Sequence, residues 1–197
     1  MQEKIEIGKY INQIKEHYVL LYSYINQRQS FDIDEHFQKI INFNHKFDIP
    51  KNINFFKRFV LLIANISNNI HRESHTMKRI FRILKYYQDQ IQQNLSNMFI
   101  FDIFKENPLV LLFLYENKVF QFNSELYDKI CHTQPHLCSF FYPELKTINT
   151  NDKNKRRMFK YFTKDIKIDQ DFENKRHAGE NDSYLCSLIR KDSIKEF

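Results

Sequence analysis

Glycine, proline and tryptophan are scarce in this sequence, and their scarcity narrows the choice of fold. The 197 residues include two glycines, four prolines and no tryptophan. Tight β-hairpins and loops that cradle phosphate groups depend on glycine for positive φ angles. The shortage of glycine therefore argues against a hairpin-rich sheet protein and against a phosphate-binding loop. It favours helices joined by turns in which asparagine takes the left-handed conformation.

Long apolar runs, a regular cysteine framework and an apolar leader are also missing. The longest apolar runs, 59–64 and 109–115, are far shorter than the roughly 20 residues that cross a bilayer. The three cysteines are odd in number and irregularly spaced, which favours a reducing compartment. The first residues, Met-Gln-Glu-Lys-Ile-Glu, contain no apolar core of a signal peptide. We therefore expect a soluble protein of the cytoplasm or the nucleus.

Aromatic side chains are abundant. The chain carries 20 phenylalanines and 11 tyrosines, and hydrophobic residues make up 42% of it. A disordered chain would be poorer in aromatic residues, and this length is sufficient for a packed core. The formal net charge of +6 is modest for a helical protein of this size. The composition predicts a folded helical protein.

Apolar residues recur at helical spacing through the first half of the chain. Steps of four and three residues predict a first helix that buries Ile7, Ile11, Ile14, Tyr18, Leu21 and Ile25. The stripe is too short for a sustained coiled coil, so we expect it to pack inside the domain. Further helices are predicted over 35–45, 52–69 and 74–97, and the one over 52–69, apolar on several sides, is expected to be central. These helices form a predicted N-terminal bundle.

One type of turn recurs in the second half. Asn107-Pro108, Gln134-Pro135 and Asp192-Ser193 each lie between two apolar segments. Asparagine, aspartate and serine cap helices well, and proline fits the first helical position. The pattern predicts three helical hairpins, stacked as a degenerate repeat. The predicted fold is therefore all-α, a helical bundle that leads into short stacked hairpins.

The predicted organisation has three parts. Residues 1–145 form a helical domain, with longer helices to about residue 97 and hairpins after it. Residues 146–180 are polar and form a candidate flexible linker, holding one helix around Phe159 and Phe162. Residues 181–197 contain a repeat helix and the first turn of another. Since so short a helix cannot bury its apolar face, we expect a stacking partner to follow Phe197.

Three stretches of the sequence share the pattern of a known family. They are Ile100–Lys118, Phe141–Glu144 and the combination of 180–184 with 188–197. They resemble protist ankyrin-repeat proteins in which an uncharacterised helical domain precedes the array. The common Thr-Pro-Leu-His start is absent, and Asp192 stands where a loop glycine is usual. The resemblance implies a non-enzymatic, ankyrin-type scaffold that binds a protein partner, with the helical domain as its amino-terminal cap.

Two groups of residues contain ligand types that metals use. Cys131, His132, His136 and Cys138 supply four candidate zinc ligands, but without the close pairs of usual zinc sites. The structural alternative is that both cysteines pack in the cores of the hairpins. His71 and His75 are four residues apart, but Arg72 stands where the metalloprotease motif requires glutamate. A surface loop is the favoured interpretation there, and we predict no metal.

The strongest concentration of charge lies between Lys153 and Lys164. Its basic residues are interleaved with aromatic ones: Lys153, Lys155, Arg156, Arg157, Lys160 and Lys164 with Phe159, Tyr161 and Phe162. Such a cluster contacts phosphates or acts as a nuclear import signal. The alternative is a solvated helix whose aromatic residues face the core. No recognised nucleic-acid-binding motif accompanies the charge.

No catalytic motif is present, and the sequence predicts neither catalytic residues nor a cofactor. The leading hypothesis is therefore a non-enzymatic protein-interaction scaffold with an unidentified protein partner. The alternative is a basic helical protein that binds nucleic acid through the cluster of 153–164.

Overall fold

The computed structural model describes residues 2–26, 32–69, 74–148, 152–164 and 166–178, with side chains from Asn12 onward except those of residues 74 and 155. Within these ranges every regular element is helical, comprising twelve α-helices and one 3-10 turn. The predicted all-α fold is confirmed. The chain divides into two compact units, residues 1–96 and residues 97–197. The longer helices were predicted to end at about the same place.

The first unit is a bundle of helices. Its elements are α1 Gln2–Asn26, α2 Ile33–Lys46, a 3-10 turn Ile49–Lys51, α3 Ile53–Asn69, α4 Ser74–Tyr86 and α5 Gln88–Asn94. Helix α1 packs against α2, α3 and α4. Phe56, Phe59 and Val60 of α3 are almost completely buried. Helix α3 thus buries apolar side chains, but the helix in contact with the three others is α1, so a central position for α3 stays a prediction.

The buried face of α1 differs from the predicted one at two adjacent residues. Leu21 and Ile25 are buried as expected, but Tyr18 is 42% exposed and His17 only 5%. The His17 imidazole stacks on the Phe59 ring, with 4.9 Å between centroids and an angle of 2° between planes. Histidine counts as a polar residue in a helical pattern, so the pattern did not predict its burial. A neutral imidazole that stacks on an aromatic ring is instead a good core side chain.

The predicted fourth helix over 74–97 is interrupted at Tyr87. Helices α4 and α5 flank this single residue, and α5 ends where Leu95 adopts an extended conformation. The Tyr87 ring packs edge-on against Phe59, and the Asn44 side-chain amide donates a hydrogen bond to the Tyr87 hydroxyl at 2.6 Å. Burial raises the pKa of Tyr87 to about 12. The helix is therefore interrupted at a buried tyrosine whose hydroxyl accepts a hydrogen bond in the core.

The second unit consists of shorter helices. They are α6 Asn97–Phe104, α7 Pro108–Glu116, α8 Ser124–Thr133, α9 His136–Phe140, α10 Tyr142–Leu145, α11 Lys153–Thr163 and α12 Gln170–Ala178. Helix α6 packs on α7 across a turn of residues 105–107, and α8 packs on α9 across residues 134–135. Two predicted hairpins are thus present. The third, at Asp192-Ser193, and all of 181–197 lie outside the described residues, so a stacked solenoid stays a prediction.

The capping residues of these hairpins differ from the prediction. Pro108 is at the start of α7 as expected, but the side chain of Asn107 accepts no capping hydrogen bond. Pro135 precedes α9 instead of opening it. The capping bond is made by Asn123, whose side-chain oxygen accepts from the Leu126 amide at 2.9 Å at the start of α8.

Left-handed turn positions are occupied by other residue types than the predicted asparagine. Among the described non-glycine residues, Asp32, Asp48 and Lys118 have positive φ angles of 71°, 47° and 62°. Lys118 follows α7 in a Schellman arrangement, because the Val119 amide donates to the Leu114 carbonyl and the Lys118 amide to the Tyr115 carbonyl. The expectation that asparagine would supply these positions was wrong at these three turns.

The segment that was predicted as a linker contains two helices. Phe159 of α11 is buried as expected, and α11 packs against α8 and α9. Helix α12 was not predicted, because its sequence is charged. Its Arg176 is nevertheless buried and ion-paired with Glu144. The described part of 146–180 therefore packs on the hairpins.

Candidate functional site

Helix α11 presents most of the predicted basic cluster to solvent. The Asp152 carboxylate accepts a hydrogen bond from the Asn154 amide at 2.9 Å just before the helix begins. Phe159 and Thr163 are one turn apart on the buried face. Arg156 and Lys160 are likewise one turn apart, and both are exposed. The helix therefore holds two cations close together on one side.

These two cations share a recess with a third one from another part of the chain. Lys146, which follows α10, joins Arg156 and Lys160 in the wall of a cavity of about 310 Å³. The rest of the lining is aromatic, aliphatic or hydroxyl-bearing: Tyr127, Tyr142, Leu145, Ile148, Phe159 and Thr163. Of the nine described residues that line it, three are basic and none is acidic. We call this cavity the basic recess.

The aromatic side of the basic recess is held in place by packing. The Phe159 ring contacts Tyr142 at 5.7 Å and Tyr127 at 5.5 Å between centroids. The Lys146 ammonium lies 5.5 Å from the centroid of the Tyr142 ring, a cation–π distance. Burial raises the pKa of the Tyr127 hydroxyl, which therefore stays protonated. The arrangement offers positive charge beside an apolar surface, which suits an anion that also carries an uncharged portion.

Only part of the predicted basic cluster contributes to the recess. Arg156 and Lys160 line it, whereas Lys153, Arg157 and Lys164 do not. Lys146 and Tyr142 were missed by sequence reasoning. Tyr142 lies within the match at Phe141–Glu144, but that match indicated family and not position. Lys146 carried no local signal, because its role depends on contact with a helix that follows in the chain.

The candidate zinc ligands do not converge as a set of four. Cys131 and Cys138 are free and buried, and the Cys138 thiol donates to the Cys131 sulfur at 3.8 Å between α8 and α9. His132 is exposed and His136 half-buried. The described residues contain no group of three histidine, cysteine or acidic side chains placed to share a metal ion. Both thiols are buried and so pack as core side chains. The hydrogen bond to Cys131 and burial both raise the pKa of Cys138.

The second histidine pair falls largely outside the described ranges. His71 and Arg72 are not described, and His75 is half-buried in α4.

The first unit contains an apolar pocket beside His17. This pocket measures about 190 Å³ and is lined by Gln13, Ile14, His17, Phe43, Phe47, Ile49, Phe55, Arg58, Phe59 and Leu62. Burial lowers the pKa of His17 to about 4, so the imidazole is neutral at pH 7. The pocket is of a size that would accept a single apolar ring.

Helix α1 exposes aromatic side chains on the side away from His17. Tyr18, Val19 and Tyr22 of α1 are 42%, 59% and 45% exposed. The two tyrosine rings stack with 5.7 Å between centroids. Since residues three and four apart are neighbours on a helix, these side chains form one continuous patch. We call it the α1 aromatic patch.

Comparison with known proteins does not identify a family for this chain. No protein-family model, no curated protein and no solved structure matches the chain. The ankyrin-family resemblance therefore stays a prediction. Across the part of the chain that the structure describes, no helix combines the length and the hydropathy needed to cross a membrane.

Proposed function

We propose that this chain is a non-enzymatic protein-interaction module and that it binds a protein partner through the α1 aromatic patch. The observation that supports the proposal is the exposure of Tyr18, Val19 and Tyr22 on a helix whose other face is buried. Single exposed apolar side chains are ordinary on protein surfaces. A contiguous group that includes two stacked tyrosines is less ordinary, because tyrosine is enriched among the residues that dominate binding energy.

The chemistry of the patch suggests the kind of partner. Stacked tyrosines are already restricted in rotation, so binding costs little side-chain entropy. Lys15 is exposed one turn before Tyr18 and Val19 on the same side of α1. An amphipathic helix fits this surface if it carries aliphatic or aromatic anchors and an acidic residue that meets Lys15.

The patch would contribute a moderate binding energy. Complete burial of a large apolar side chain stabilises by about 1.5–3 kcal/mol. The three side chains are roughly half exposed, so their remaining burial is expected to contribute about 1 kcal/mol each. A total of about 3 kcal/mol corresponds to about a 100-fold change in affinity.

The test is a comparison of partner capture by three forms of the full chain. They are the wild type, the double variant Tyr18→Ser/Tyr22→Ser, and the control Tyr161→Ser, which removes an exposed tyrosine from α11. We expect the wild type and the control to retain the same protein, and the double variant to lose it. Because the double variant removes two of the three side chains, it alone should raise the dissociation constant of the identified partner by about 30-fold. Equal affinity for all three forms would refute the role of the patch.

The packed hairpins of the second unit support a scaffold in a broader sense. Hairpin repeats present extended surfaces without requiring an enclosed polar site. The pairs α6–α7 and α8–α9 are packed helical hairpins, which supports this proposal. We also propose a cytoplasmic or nuclear location, supported by the odd number of cysteines and by the free state of Cys131 and Cys138.

A further inference from the structure

We propose that the basic recess of the second unit is a binding site for a small phosphorylated molecule, held by Lys146, Arg156 and Lys160. This site goes beyond the proposed protein interaction, since it lies in the other unit and recognises a different chemistry.

The arrangement of charge is the first argument. Arg156 and Lys160 are one turn apart on α11, where like charges repel and destabilise the helix. Lys146 brings a third positive charge to the same cavity, and among the described residues that line it none is acidic. A phosphate group that enters the recess would place negative charge beside these basic side chains. It would also gain charge-assisted hydrogen bonds, which are about twice as strong as neutral ones.

The rigidity of the aromatic side is the second argument. The Lys146 ammonium is held near the Tyr142 ring, which is itself packed against Phe159. A cation held in this way loses less conformational freedom on binding than one on an unsupported side chain. Leu145 and Ile148 add an aliphatic wall for the uncharged part of the ligand.

The shape of the cavity favours a small ligand over a nucleic-acid strand. A cavity of about 310 Å³ lies at the lower end of the range for small-molecule sites and suits one phosphorylated sugar or nucleoside. Proteins that bind single strands use a charged groove that follows the backbone over several nucleotides. Here Lys153, Arg157 and Lys164 of the same cluster lie outside the recess. Three cations therefore line one cavity instead of forming a continuous charged groove along the helix.

The experiment measures binding of pyrophosphate, ADP and a single-stranded RNA oligonucleotide to the full chain by calorimetry at low salt. The variant Arg156→Gln/Lys160→Gln removes two charges from the recess. Its matched control, Lys153→Gln/Arg157→Gln, removes two charges from the same helix outside the recess. Lys146→Gln tests the third cation from a different element. Circular dichroism confirms that each variant is folded.

We expect pyrophosphate and ADP to bind, and both recess variants to weaken binding by about tenfold or more. The control should change it by less than about twofold, because its charges act only at a distance through salt-screened solvent. Equal weakening by the control would show general charge attraction and overturn the proposal. The proposal would also be overturned if neither pyrophosphate nor ADP binds. Binding of RNA alone, weakened by both double variants, would replace the proposal with a nucleic-acid surface.

Discussion

Replacing Arg176 by methionine is expected to destabilise the second unit by about 3–5 kcal/mol, because it leaves a buried carboxylate without its cation. In the wild type the Arg176 Nη1 atom lies 2.8 Å from both oxygens of Glu144. Its Nη2 atom lies 2.9 Å from Glu173. The side chains of Arg176 and Glu144 are each only 7% exposed. Removal of the guanidinium therefore leaves the Glu144 carboxylate without this ion-pair partner and largely shielded from water.

A neighbouring ion pair provides a matched control. Lys175 and Asp171 of the same helix are 2.8 Å apart, but their side chains are 36% and 69% exposed. Exposed pairs of this kind contribute about 0.3–0.5 kcal/mol. The variant Lys175→Met should therefore be close to the wild type in stability. Since both changes remove one cation from α12, the difference between them reports the effect of burial.

Urea unfolding followed by far-ultraviolet circular dichroism measures both variants. With a slope of about 2 kcal/mol per M, a loss of 4 kcal/mol lowers the unfolding midpoint by about 2 M. The double variant Glu144→Leu/Arg176→Met should recover most of this loss, because no unpaired charge then remains buried. The reasoning is refuted if Arg176→Met and Lys175→Met unfold at the same midpoint. In that case the carboxylate would not depend on Arg176.

Two further predictions concern residues that the structure singled out. The free energy of unfolding of the first unit should fall by about 3 kcal/mol between pH 7 and pH 4. The reason is that His17 has a pKa of about 4 in the folded state and 6.5 in the unfolded chain, so the unfolded chain binds a proton first as the pH falls. His17→Phe should flatten this dependence in urea titrations, and an unchanged pH profile would contradict it. Lys118→Gly should raise stability by about 1 kcal/mol, since glycine adopts the observed φ of 62° without strain. The control Lys57→Gly, within α3, should lower stability by about 1 kcal/mol. If both variants are less stable than the wild type, Lys118 does not have a left-handed conformation.

The core of both units was largely predictable, because helical periodicity records which side chains avoid water. Phe59 and Leu21 were expected inside and are buried. The predictions were wrong at residues whose burial or backbone conformation depends on neighbouring side chains more than on residue type. His17 is buried because Phe59 offers a ring to stack on, and Tyr87 interrupts a helix where Asn44 meets its hydroxyl. The spacing of residues along the sequence does not show that Phe59 and Asn44 lie next to these side chains.

The candidate site was predictable only in part. Arg156 and Lys160 belong to a conspicuous basic cluster, so their exposure was expected. The cluster alone did not distinguish them from Lys153 and Arg157, because all four carry the same charge. Lys146 completes the recess only after α11 has packed on the preceding helices.

By itself the amino-acid sequence determined that this protein is helical, where most of its helices lie and which faces carry the apolar core. These properties follow from spacings within one turn or a few turns of chain. Tertiary structure decided which polar groups came together: Arg176 with Glu144, and Lys146 with Arg156 and Lys160. Electrostatic interactions depend on distance in space and on shielding from water. Both are set by the packing of helices that are far apart along the chain.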